Sequence, residues 1–203
     1  MSEKEKMING EYYNPNDKEL SIERIKAKNL CYAYNSLKPE LENEKKEIIK
    51  TLLHKTGENF QIEPNFYCDY GYNIEIGENF YSNHNLVILD PAKVTFGKNT
   101  FIGPNCGFYT AEHPLDFNIR NTGTEFAKPI TIGDNVWIGG NVVVLAGITI
   151  GNNVVIGASS VVTKDIPENS IAVGNPCRVI RKVWLYFWVL FFLKNRFIIL
   201  KQV

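Results

Sequence analysis

The sequence carries no net charge: 22 Lys and Arg balance 22 Asp and Glu over 203 residues. No basic run with interleaved aromatics breaks that balance in the body of the chain, so a nucleic-acid partner is not expected. Cysteine is scarce. Cys31, Cys68, Cys106 and Cys177 form no CxxC pair, and only three histidines accompany them. Ligands so dispersed give no metal site. The start, MSEKEKMING, lacks the apolar stretch of a secretory signal, which predicts a cytoplasmic protein with reduced thiols. No Walker or dinucleotide glycine loop is present, so a phosphate cradle of that kind is excluded. No apolar run reaches the roughly 20 residues that span a bilayer.

What is present is a period of six. Ile132, Ile138, Val144, Ile150, Ile156 and Val162 recur every six residues, and Gly133, Gly139, Gly151 and Gly157 follow four of them. A second set, Val136, Val142, Ile148, Val154, Ser160 and Ile166, keeps the same phase. Ile76-Gly77, Phe96-Gly97 and Ile102-Gly103 extend it upstream. Six matches neither the 3.6 of a helix nor simple strand alternation. It fits short strands joined by tight turns, with Gly or Asn supplying unusual backbone angles. Glu78-Asn79, Lys98-Asn99, Asp134-Asn135 and Asn152-Asn153 fall at one turn position. No such coil buries its apolar face alone, so the coils must stack.

Ahead of the repeat, residues 16–55 read as helical. Asp17 can cap a helix through Leu20, Ile22, Ile25, Leu30 and Tyr34; Pro39 breaks it, and a second segment covers Glu40–Leu53. The expected organisation is a helical cap over 1–58, a β-helix over 59–182 and a tail over 183–203. The repeat stops after FYTAEHPLD and resumes near Ile130, which leaves residues 112–129 as an excursion. Loops leaving a rigid scaffold commonly carry chemistry, and His113 lies in this one.

The repeat, together with YNPNDKELSIERIKAKNLCYAYN, DYGYNIEIGENFYSNHN, FYTAEHPLD, KPITIGDNVWIGG, GASSVVTKDIP and VGNPCRVIRK, resembles the maltose/galactoside O-acetyltransferase subfamily of hexapeptide-repeat acyltransferases. The resemblance implies a mainly β fold, a left-handed parallel β-helix with an N-terminal helical cap. It further implies a homotrimer with active sites between subunits, acetyl-CoA as donor, a sugar or glycoside as acceptor, and direct transfer without an acyl-enzyme. By the same resemblance His113 is the general base, and Asn83 donates to the oxyanion. Asp17, Arg24, Asp69, Asp90 and Glu125 match the acceptor side. Asp17 can equally be a plain helix cap, Arg24 a surface ion pair, and Glu125 can bind sugar or orient His113. Trp137, Gly140, Ala158, Thr163 and Lys164 match the coenzyme side, with Arg178 and Arg181 at its phosphates.

Asp69 and Gly140 each stand where some relatives place serine, and Pro91 where some place a second acid. Two rivals remain: an acetyltransferase acting on an antibiotic or another hydroxylated small molecule, and a non-catalytic scaffold at a membrane surface. The second is suggested by the tail, where the apolar run Val183–Leu193 is followed by Lys194, Arg196 and Lys201. Apolar next to basic suits an anionic membrane surface. It also suits packing on the trimer, or a shifted reading frame.

Overall fold

A computed structural model describes residues 1–183. The expectations for the tail fall on 184–203, outside the described residues. Three helices open the chain: α1 (Glu3–Ile8), α2 (Lys18–Ser36) and α3 (Glu42–Leu52). The sequence reading did not anticipate α1, a six-residue helix closed by a Ser2–Glu5 capping box. Asp17 caps α2 as expected, accepting from the amides of Glu19 at 2.9 Å and Leu20 at 3.4 Å. Leu20, Ala27, Cys31 and Tyr34 are buried along one side of α2, whereas Ile22 and Ile25 face outward. Among the described residues no helix is long and apolar enough to cross a membrane.

From Phe60 onward the chain winds as a parallel β-helix with three faces. Strands of successive coils pair in register on each face. The first face holds Phe60–Ile62, Phe80–Ser82, Phe101–Ile102, Trp137–Ile138, Val155–Ile156 and Ser170–Val173, and the antiparallel strand Arg178–Lys182 closes it. The second holds Phe66–Cys68, Leu86–Leu89, Gly107–Tyr109, Val143–Val144 and Val161–Val162. The third holds Ile74–Ile76, Val94–Phe96, Ile130–Ile132 and Thr149–Ile150.

The in-phase residues do point inward. Ile132, Ile138, Val144, Ile150, Ile156 and Val162 are all buried, as are Val136, Val142, Val154, Ser160 and Ile166. Phe80, Phe96 and Phe108 stack edge to face through the upper core, at centroid separations of 5.2 and 4.9 Å.

Asparagine and glycine divide the corner work more sharply than the sequence reading allowed. At the repeated turn position the left-handed backbone angles belong to asparagines: φ is 57° at Asn79, 56° at Asn99, 57° at Asn135 and 56° at Asn153. Their side chains join in a ladder along one edge, Asn59 to Asn79 to Asn99 to Asn135 to Asn153 to Asn169, each link between 2.7 and 3.1 Å. The in-phase glycines are there for closeness instead. A Cβ on Gly97 would lie 2.6 Å from the carbonyl carbon and oxygen of Gly133 in the next coil. Gly97→Ala is therefore expected to destabilise the fold by about 2–3 kcal/mol, read as a lower denaturant midpoint.

Candidate active site

The six-residue phase has interruptions, and those ahead of the last coils share one edge. In a regular coil four positions separate the last inward residue of the second face from the first of the third, as from Val144 to Ile148. The step is six from Cys68 to Ile74 and from Ile88 to Val94, and twenty-two from Phe108 to Ile130. A corner can lengthen without disturbing the strands stacked beside it. The added residues therefore leave together, at the edge between the second and third faces. Asp69, Asp90, His113 and Glu125 all stand there.

The longest insertion folds back as a two-stranded arm. Ala111–Glu112 pairs antiparallel with Phe126–Ala127, and the short α4 (Phe117–Arg120) lies between them. His113 follows the first arm strand. Its Nδ1 lies 3.0 Å from the Thr124 carbonyl oxygen. A carbonyl only accepts, so that contact places the proton on Nδ1 and leaves Nε2 as the nitrogen able to take one. Nε2 stands 3.7 Å from Oε1 of Glu125. The other oxygen of Glu125 accepts from the Tyr13 hydroxyl at 2.7 Å. Backbone bonds join the same two residues, from Tyr13 N to Glu125 O at 2.9 Å and from Glu125 N to Tyr13 O at 3.1 Å.

The N-terminal segment thus forms one wall of the site. A small separate core of Met7, Tyr13, Leu20 and Tyr70 holds it down, with Tyr72 packed alongside. Arg24 reaches inward from α2, donating to the Tyr70 hydroxyl at 2.7 Å and to the Pro15 carbonyl at 2.5 Å. Burial raises the Asp69 carboxyl above its usual range, while the positive charge of Arg24 pulls it back down. Burial also pushes the Tyr70 phenol up to about 12. Asp69, Tyr70, Arg24 and Glu125 are close enough to act on one another electrostatically. This edge of one chain therefore brings together Arg24, Asp69, His113 and Glu125. Asp17 stays at the head of α2, with one oxygen engaged by the cap.

Asp90 departs from the sequence reading, which set it against the acceptor. It is 0% exposed. Its Oδ1 accepts from the amides of Asp69 and Tyr70, both at 2.9 Å, and its Oδ2 from that of Gly71 at 2.8 Å. With both oxygens turned onto backbone, Asp90 fixes the lengthened corner that presents Asp69. Burial pushes its carboxyl up to about 7, against the pull of those three amides.

Asn83 is elsewhere. It lies at the edge between the first and second faces, where its Oδ1 accepts from the His84 amide at 2.7 Å. That leaves its NH₂ to donate outward. Gly140 and Ala158 occupy the same edge, and Trp137 stands beside it on the first face, 59% exposed. Arg178 and Arg181 are exposed on the closing strand. Thr163 and Lys164 lie on His113's edge, below the arm. Within one chain the predicted residues thus form two groups on two edges.

Tyr13, Tyr70 and the Thr124 carbonyl were missed by sequence reasoning. The lengthened steps at Cys68–Ile74 and Ile88–Val94 were a readable signal for the edge. Among the described residues, no group of three or more His, Cys, Asp or Glu side chains is placed to hold a metal ion.

Two family models match the chain: the maltose acetyltransferase hexapeptide capping motif over residues 6–57, and the bacterial transferase hexapeptide (six repeats) over residues 129–164. Among solved structures, a maltose O-acetyltransferase from Clostridium difficile 630 is 49% identical with a TM-score of 0.90, covering 91% of this chain and 98% of that one. A galactoside acetyltransferase in complex with coenzyme A is 43% identical with a TM-score of 0.88, covering 91% and 92%. A hexapeptide-repeat acetyltransferase from Vibrio cholerae O1 biovar eltor, complexed with acetyl coenzyme A, is 38% identical with a TM-score of 0.84, covering 91% and 100%.

Proposed function

The chain belongs to the maltose/galactoside O-acetyltransferase family of hexapeptide-repeat proteins, and from that premise we propose that it transfers the acetyl group of acetyl-CoA to a hydroxyl of a sugar or glycoside. The observation that carries this reading is the hold on His113: Nδ1 against the Thr124 carbonyl, and Nε2 open on an edge shared with Asp69 and Arg24. A sugar hydroxyl is a weak nucleophile at neutral pH and needs its proton removed as it attacks. Nε2 takes that proton and returns it to the departing sulfur, so no acyl-enzyme is required. Asp69 and Arg24, with Asp17 above them, offer the acceptors and donors that fix a polyhydroxylated ring.

Acetyl-CoA supplies the activated thioester. The residues on the edge of Asn83 fit such a donor. Gly140 already lies against Pro104, so that any Cβ there would be 3.2 Å from the ring. The exposed Trp137 and the guanidinium groups of Arg178 and Arg181 suit an adenine nucleotide with its phosphates. The Asn83 NH₂ is a neutral donor for the oxygen on which negative charge develops.

Because the two groups occupy different edges, a complete site takes His113 from one copy and Asn83 from another. The outward residues support such an assembly. On the third face Glu75, Thr95, Thr131 and Thr149 are in register. The first face presents Tyr81, Phe101, Trp137 and Val155, and the second Tyr67, Val87, Val143 and Val161. The apolar second face runs between the Asn83 edge and the His113 edge, so a closed homotrimer with that face turned to its axis would set His113 of one copy against Asn83 of the next. A cytoplasmic setting fits the four free thiols.

Thiol release from acetyl-CoA, measured across a panel of sugars and glycosides, tests the reading. We expect release that depends on the acceptor, together with an O-acetylated product by mass spectrometry. Transfer confined to an antibiotic, or none at all, overturns it. Arg178→Ala is expected to raise KM for acetyl-CoA severalfold while changing kcat little, because phosphate contacts hold ground and transition states alike. Initial rates over a range of acetyl-CoA concentrations check this.

A further inference from the structure

We infer that Glu125 and Tyr13 are positioning residues for the base: the Tyr13 hydroxyl fixes the Glu125 carboxylate, which faces His113 rather than the acceptor. This rests on the acetyl-transfer reading above. Glu125 has one oxygen 2.7 Å from the Tyr13 hydroxyl and the other 3.7 Å from His113 Nε2. With one oxygen held by Tyr13 and the other turned toward the imidazole, the carboxylate is placed to serve the base. Tyr13 is 2% exposed, packed with Met7, Leu20 and Tyr70, so its hydroxyl has little freedom to turn elsewhere. The backbone of Tyr13 is paired with that of Glu125 on both sides. Side chain and main chain therefore clamp the same residue, and the clamp comes from a segment 112 positions earlier in the sequence.

The chemistry gives that clamp a use. When the acceptor O–H bond breaks, its proton goes to Nε2 and the imidazole becomes a cation. An anion held 3.7 Å away offsets that charge. Because the charge arises as the reaction proceeds, the benefit falls on the transition state more than on bound substrate. Tyr13 contributes only by keeping the carboxylate in place.

A double-mutant cycle tests this. Glu125→Gln is expected to lower kcat by about 10–100-fold and Tyr13→Phe by about 3–10-fold, with KM for acetyl-CoA unchanged in both. Tyr13→Phe keeps the ring that fills the core. In the Glu125→Gln background the loss of the Tyr13 hydroxyl should cost nothing further, a result that a merely structural tyrosine would not give. If the Tyr13→Phe loss adds in full to that of Glu125→Gln, or if Tyr13→Phe turns over like wild type, the clamp is wrong while the functional reading stands. Should Tyr13→Phe fail to fold, Glu125→Gln decides alone: unchanged kcat, or a raised acceptor KM at unchanged kcat, overturns the inference. A wild-type protein that acetylates no hydroxyl in the panel removes the functional reading, and this inference falls with it.

Discussion

His113→Ala is expected to lower kcat on the order of 10²–10⁴-fold, the usual contribution of a positioned base. KM for acetyl-CoA should stay near its wild-type value, since the imidazole acts on the acceptor hydroxyl and is not among the residues proposed to hold the donor. The substitution should not unfold the protein. His113 is exposed, its hydrogen bond to Thr124 lies on the arm, and neither core cluster includes it. Steady-state rates, with thermal melting as the control on folding, decide the matter. Turnover within a few-fold of wild type would remove His113 from the chemistry.

Asn83→Ala should cost about 10²–10³-fold in kcat, the size seen when one oxyanion donor is removed. The more telling result comes from mixing. If each site joins His113 of one copy to Asn83 of another, two dead proteins can rescue each other. A trimer built from His113→Ala and Asn83→Ala chains contains one junction at which both residues are intact. Random reassembly of equal amounts should therefore recover about a quarter of wild-type activity. Each variant refolded alone should stay inactive. No recovery in a mixture proven to contain hybrid trimers would place both residues in sites made by a single chain, contrary to their positions on separate edges.

The core of the β-helix was readable because its constraint is local and repeated. Each inward aliphatic must meet its counterpart one coil away, so the period survives in the sequence as a strict phase. The head of α2 was readable for a similar reason, since an Asp ahead of an apolar helical stretch satisfies free amides whatever lies beyond. The site was legible only in part. A carboxylate looks the same in sequence whether it faces a sugar or three backbone amides, and Asp90 turned out to do the second. Tyr13 was invisible because its partner is 112 positions away and nothing in the spacing joins them. The glycines were noticed but misread: the sequence shows where a side chain is missing, not whether angle or clearance forbade it.

The clamp also sets an order of events during synthesis. The first rungs of the asparagine ladder link residues 20 positions apart, so each coil can settle on the last as it leaves the ribosome. The N-terminal segment emerges first yet cannot finish folding then, because Glu125 does not yet exist. Met7, Tyr13 and Leu20 can pack on Tyr70 before the arm is made, but the Tyr13 hydroxyl has no Glu125 to meet until then. These contacts join segments more than a hundred positions apart, and closing so long a loop carries an entropic cost. The N-terminal wall of the site can therefore close only once the arm is made, while the coils from Ile130 onward are still to be added.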